Sequence, residues 1–294
     1  MPSKKRVIVQ GLAYAVYGIV VLLVILYWTF PYDLIGKRLT ERFSQGDLQL
    51  VIARYRPSFP PGLQMQQVRL LTTAANPPTA LLQADTLQAQ PDLLALFSKT
   101  LDIRLDGALY RGQMHGNIQT AMQDSAASWK VQARFDEMHL EQSPLLQKDG
   151  KAFLRGRLGG DLSVTVSSEG ELQQGTLNLN VKPMILMSEQ GLQLPLPRDI
   201  TCETVQSQLS MAPGQLQIGS FTCRGDDLTI QAKGSVAWKQ PLPASALDLR
   251  IEIRSENAYK QELELLGGIV KRRPTRGALT FSLRGTLQEP RPGV

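Results

Sequence analysis

The chain has 294 residues and 32.5 kDa, is 43% hydrophobic, 20% charged and 6% aromatic, and carries 24 Gly, 18 Pro and 2 Cys. That balance excludes a disordered chain, a collagen and a small disulfide scaffold, and it leaves length for a sizeable core. The net charge of +6 is unevenly placed: residues 1–56 hold eight Lys/Arg against three Asp/Glu, whereas residues 57–294 hold 24 against 23. Basicity confined to one terminus argues against nucleic acid as a partner and for a membrane surface.

Lys4, Lys5 and Arg6 close a short tail over residues 1–6, and residues 7–30 are apolar. The uncharged stretch from Gly11 to Phe30 has twenty residues, which at about 1.5 Å per residue span about 30 Å, the thickness of a bilayer core. Tyr27, Trp28 and Tyr32 stand at its end, amphipathic rings suited to the headgroup boundary. A cleaved signal peptide needs small residues after a short apolar core, and here Trp28-Thr29-Phe30-Pro31-Tyr32-Asp33 follows. The expectation is an uncleaved, single transmembrane helix. Flanking positive charge is tied at three on each side, Lys4, Lys5 and Arg6 against Lys37, Arg38 and Arg42. Only the distal set is diluted, by Asp33 and Glu41, so residues 1–6 are expected in the cytoplasm and the bulk outside the inner membrane of a bacterial cell, in the periplasm. Asp33 can cap a juxtamembrane helix within residues 31–46, with Ile35, Leu39 and Phe43 on one face. Its basic residues would face headgroups or simply be solvated.

Beyond residue 46 the pattern is that of strands. Runs alternating apolar residues with Gln, Thr, Ser or Arg occur at 48–56, 63–70, 81–90, 101–110, 112–120, 128–135, 158–166, 170–181, 201–210, 216–223, 228–237, 247–254 and 277–287. Such alternation buries one face of a strand and leaves the other polar. Glycine-bounded segments recur, as in Gly277-Ala-Leu-Thr-Phe-Ser-Leu-Arg-Gly285 and Gly225-Asp-Asp-Leu-Thr-Ile-Gln-Ala-Lys-Gly234, which reads as a meander. Short helices are expected at 91–98 and 137–147, and a clearer one at 257–270, where Tyr259, Leu263, Leu266, Ile269 and Val270 share a face. The fold class predicted is mostly β: one transmembrane helix, then a long twisted antiparallel sheet with a few short helices, occupying residues 47–294 as one periplasmic domain.

Cys202 and Cys223 are the only cysteines, and His115 and His139 lie far upstream, so a zinc site lacks ligands. Two readings remain, buried free thiols or a disulfide. The disulfide fits an exported chain, because the cysteines flank a hairpin turning at Met211-Ala212-Pro213-Gly214.

Chemistry is sparse. No nucleotide loop or nucleophile elbow is present, and no cofactor or metal is implied. His115, within Arg111-Gly-Gln-Met-His-Gly116, reads as a turn or strand residue rather than a base. Asp226-Asp227 reads as a solvated turn, and Lys271-Arg272-Arg273 with Arg276 as the cationic end of a helix, with contact to lipid or an acidic partner as the alternative. An enzyme is not expected.

The stretch Thr29-Phe-Pro-Tyr-Asp-Leu-Ile-Gly-Lys-Arg-Leu39, directly after one apolar helix, resembles the start of type II secretion system protein N. Three further pieces follow in the order of that family: Phe59-Pro-Pro-Gly-Leu-Gln-Met-Gln-Gln-Val68, Ser143-Pro-Leu-Leu146 followed by residues 156–166, and residues 221–234. The chain is closer to the branch with a long Gly-rich sheet than to the enterobacterial members. The tryptophan-containing signature of the latter is not evident, Gly107-Ala-Leu-Tyr-Arg-Gly112 being the nearest piece. The resemblance implies a bitopic inner-membrane accessory component of the secretion machine, working through periplasmic contacts with other secretion components (inner-membrane platform or secretin), and it implies no catalytic residues. The same strand pattern and single anchor also fit an AsmA-like envelope protein, in which a curled sheet presents an apolar groove that binds or transfers lipid.

Overall fold

The computed structural model describes residues 17–18, 21, 48–58, 62–72, 79–92, 95–121, 128–148, 151–152, 154–187, 199–239, 244–255, 260–270, 273–275, 277–286 and 289–293. Of the expected membrane segment this includes Tyr17, Gly18 and Val21, which are helical and exposed. The rest of residues 7–30, and the juxtamembrane helix expected within 31–46, lie outside the described residues. Among the described residues no helix is long and apolar enough to cross a membrane.

The strands run in chain order as β1 (Leu48–Ser58), β2 (Gly62–Thr72), β3 (Thr79–Pro91), β4 (Thr100–Leu109), β5 (Gly112–Ala121), β6 (Trp129–His139), β7 (Gln147–Lys148), β8 (Lys151–Ala152), β9 (Leu154–Val166), β10 (Leu172–Leu186), β11 (Ile200–Cys202), β12 (Thr204–Ala212), β13 (Gln215–Arg224), β14 (Leu228–Ala237), β15 (Ala246–Ser255), β16 (Ala278–Thr286) and β17 (Pro290–Gly293). Helix α1 covers Lys260–Ile269. Among the described residues the strands form one 15-stranded antiparallel sheet, with β7 and β8 as a separate ribbon. Sheet order follows chain order: β6 passes to β9 across the β7–β8 connection, and β11 and β12 lie in line along β10. The alternating sequence is the cause, because each hairpin buries its apolar residues only when the next one pairs beside it.

Tight turns fix the register. Tyr110 (φ 49°) and Arg111 (φ 61°) form the two-residue turn between β4 and β5, both left-handed as a primed hairpin turn requires. A left-handed tyrosine is costly, and two bonds hold it: the His139 amide donates to the Tyr110 carbonyl (2.9 Å), and the Gln83 amide donates to the Tyr110 hydroxyl (3.1 Å). Pro213 and Gly214 (φ 69°) make the two-residue turn between β12 and β13, with only the glycine left-handed.

Three expected helices fare differently. Residues 257–270 form α1 from Lys260, and Leu263 and Val270 are buried against Leu279 of β16. Among the described residues of 91–98, β3 runs on to Pro91 and Ala95–Ser98 form a 3-10 turn. Residues 137–147 are not a helix. β6 continues to His139, and two 3-10 turns, Leu140–Gln142 and Pro144–Leu146, follow. β6 bulges between Phe135 and Met138, with Glu137 at φ 52°, and the leucines of the expected helix, Leu140, Leu145 and Leu146, fall in the two 3-10 turns.

Candidate functional site: the apolar face of the sheet

Residues paired in register project to the same face of a sheet, so the register assigns each side chain a face. One face is apolar along its whole length. A first row crosses ten strands from β4 to β16: Leu105, Gly116, Ala133, Leu162, Leu177, Leu209, Ile218, Gly234, Leu249 and Leu283. At about 4.8 Å per strand this row is about 43 Å long. A parallel row begins Ile103, Ile118, Val131, Val164 and continues through Met211, Leu216, Val236 and Leu247. On the other side lie Met114, Phe135, Leu179, Phe221, Ile251 and Phe281, with Ser207 as the polar member. Every residue of the first row is half-buried.

The face is packed shut at one end. There a fourth row, Leu158, Val181, Val205, Cys223, Ile230, Ile253 and Leu279, lies under the 3-10 turn at Leu140 and under α1. Cys202 and Cys223 are disulfide-bonded in this cluster, both 0% exposed, with Cα atoms 5.7 Å apart. The predicted pair is therefore present, though its placement differs from a facing pair in one hairpin. Cys223 stands opposite Val205 in the β12–β13 hairpin. Cys202 sits on β11, opposite Met184 of β10, and the bend at Glu203 turns it back into the core. The disulfide thus ties β11 to β13 across a break in the strand. Leu158 joins this cluster to a second one built on Met65, Val68, Ala84, Leu109 and Met138, and Ile253 joins it to α1.

Glu141 fastens the connection over this end. Burial works to raise its carboxyl, but hydrogen bonding to its own backbone, to His139 Nδ1 (3.0 Å) and to the Gly156 amide outweighs that, so Glu141 ionises below its ordinary value.

The opposite face is polar. Asp106 and His115 pair at 2.7 Å, Arg134 and Asp161 at 2.9 Å, and Arg284 and Asp248 at 3.1 Å, all substantially exposed. The Asp161 carboxylate, hydrogen-bonded to Arg134, lifts that guanidinium further above its ordinary value. A trough of about 690 Å³ on this face is lined by Arg104, Asn117, Gln132, Ser163, Thr176 and Asn178 together with the first two of those pairs. His115 is thereby a strand residue hydrogen-bonded to Asp106 on an exposed surface. Among the described residues no group of three or more His, Cys, Asp or Glu is placed to hold a metal. Asp226 and Asp227 are exposed in the β13–β14 turn. Of the basic cluster after α1, Arg273 is exposed, while Lys271, Arg272 and Arg276 lie outside the described residues. So do all the expected membrane-interface residues, Lys4, Lys5, Arg6, Tyr27, Trp28, Tyr32, Lys37, Arg38 and Arg42.

Sequence reasoning assigned alternation strand by strand but did not single out the apolar rows as a site. The signal was present in the in-phase Leu, Ile and Val of successive runs, and only the register joins them. Comparison with family models, with curated proteins and with solved structures finds no match to this chain.

Proposed function

We propose that the protein is a single-pass inner-membrane protein whose periplasmic sheet holds the acyl chains of a lipid along its apolar face, as in AsmA-like envelope proteins. The observation that carries this reading is the ten-strand row from Leu105 to Leu283, apolar or glycine throughout and half-buried throughout. A face this long left to water would be an aggregation liability, since exposed apolar patches on soluble proteins are usually limited to a few hundred Å². Aliphatic side chains without hydrogen-bonding partners suit an acyl chain, which needs cover and no polar contact. Glycines 116 and 234 within the row leave side-chain-free space between larger neighbours. The helical, exposed Tyr17 and Val21 fit the anchor.

A second reading is an accessory component of the type II secretion system, acting through protein contacts. It rests on the juxtamembrane and sheet segments quoted above, and the polar face with its exposed ion pairs would be the contacting surface. One preparation separates the two. Full-length protein extracted from its host in mild detergent is analysed by mass spectrometry for lipid and protein. Stoichiometric phospholipid without secretion components supports lipid holding, and co-purified secretin or platform subunits with no lipid supports the second reading and refutes the first.

A further inference from the structure

We propose that the end of the sheet opposite the disulfide docks on an anionic phospholipid surface through two Trp–Lys corners, Trp129–Lys130 and Trp238–Lys239, and that acyl chains enter and leave the apolar face between them. The inference rests on the lipid-holding reading and adds to it where the lipid passes and what surface presents it.

Two of the chain's 3 tryptophans stand at this end. Trp129 opens β6, opposite Val166 and in phase with Val131 and Ala133 on the apolar face. Trp238 follows β14 in phase with Val236 on the same face. They are 37% and 49% exposed, unusual for side chains that could bury so much area. Each is followed by an exposed lysine whose alternation turns it towards the polar face, and neither lysine belongs to an ion pair among the described residues. Five strand spacings separate the corners, about 24 Å, and Val166, Leu172 and Met211 carry the apolar face between them.

The second corner is held rigidly. The Trp238 amide donates to the Gly214 carbonyl at 2.8 Å, and the Lys239 amide donates to the hydroxyl of Ser245, itself 0% exposed, at 3.0 Å. An indole has an apolar body and one donor, which suits the boundary between acyl chains and headgroups, and an adjacent ammonium suits the phosphates just above it. The charge favours a bilayer over an apolar protein partner, because lysine is depleted in protein interface cores and enriched at anionic membrane surfaces. Among the described residues the other end of the face is occupied by the disulfide cluster and by α1.

The test uses full-length W28F protein in phosphatidylcholine nanodiscs, so that Trp129 and Trp238 alone report. Vesicles of three parts phosphatidylcholine to one part phosphatidylglycerol are added, with bromine placed either high on the acyl chain or near its end. A parallel arm puts the brominated lipid in the nanodisc itself. Quenching of tryptophan emission, stronger for the high bromine, is expected in at least one arm, and which arm answers identifies the membrane docked. K130E/K239E should weaken vesicle binding more than tenfold, with K130Q/K239Q intermediate and both retaining a strand-dominated circular dichroism spectrum. Absence of quenching in both arms overturns the proposal. So does quenching that the lysine reversal leaves untouched, since the tryptophans would then be sensing lipid already on the face. Mass spectrometry of lipid in the same samples keeps the two ideas apart. Bound lipid without docking overturns only this proposal, and docking without bound lipid supports the Trp–Lys docking while overturning the lipid-holding reading and, with it, the passage of acyl chains.

Discussion

Breaking the Cys202–Cys223 bond should cost the fold about 3 kcal/mol when done by reduction and about 5 kcal/mol when done by C202A/C223A. The cysteines are 21 residues apart, and closing a loop of that size removes unfolded-state entropy worth roughly 3 kcal/mol. Alanine adds a second loss. Both sulfurs are fully buried among Val181, Ile200, Val205 and Leu228, and deleting each leaves a methyl-sized void worth about 1 kcal/mol. Urea unfolding of full-length protein in mild detergent, followed by circular dichroism with and without reductant, measures both. Hydrogen exchange should place the loss in β11 to β14, with β2 to β5 unchanged, because the second cluster on Met65 and Leu109 does not include the disulfide. A reduction penalty under about 0.5 kcal/mol, or alkylation of both cysteines in folded, unreduced protein, would refute the reasoning.

Other expectations follow from single positions. Leu209→Arg puts a charge midway along the apolar row with room for its head to reach water, so co-purified lipid should fall several-fold while the circular dichroism spectrum is kept; unchanged lipid content would count against lipid holding. Gly234 has φ 147° and a Cβ there would run into the Asp248 carbonyl, so Gly234→Ala should destabilise by at least about 2 kcal/mol in urea. Gly268→Ala is the control: it sits in α1 with nothing within 4 Å, and a gain of about 0.5–1 kcal/mol is expected. Glu141 ionises below its ordinary 4.5 in the folded chain. Its stabilisation is therefore complete above that pH and is lost as pH falls through the lowered folded value, and Glu141→Gln should flatten this acid limb of a stability–pH profile. An unaltered limb would show that the carboxylate is not what holds the connection.

Most of the sheet was legible because a strand with one buried face writes its geometry as strict alternation. Leu247, Leu249, Ile251 and Ile253 of β15 are an example, each a register partner of an apolar residue on β14 or β16, or of a glycine. Reading failed where geometry departs from that period. The paired leucines of 137–147 suggested a helix, but Leu140 lies in one 3-10 turn and Leu145 and Leu146 in the next, after β6 has bulged at Glu137. β10 runs past its expected end because Pro183, which has no amide hydrogen, occupies a second bulge between Lys182 and Met184 and does not end the strand. β9 begins at Leu154, ahead of expectation, since Gly156 at φ 151° interrupts the pattern without interrupting pairing. The disulfide was legible as a pairing and not as a position, because the bend at Glu203 that separates β11 from β12 has no local signature. The apolar rows were the least legible feature: each strand contributes one residue to a row, and adjacency across strands is a property of register alone.

The order of strands in the sheet follows their order in the chain, apart from the detours at β7–β8 and β11. A chain delivered end-first across a membrane can therefore fold as it emerges, each strand finding its partner already in place and needing nothing still to arrive. The same order makes the apolar track modular. Adding or removing one hairpin alters its length by about 10 Å and leaves both neighbours in register, because they pair with equivalent strands. The capacity of such a track is set by counting hairpins, while the distance from its covered edge to its tryptophan edge is set by strand length and stays unchanged.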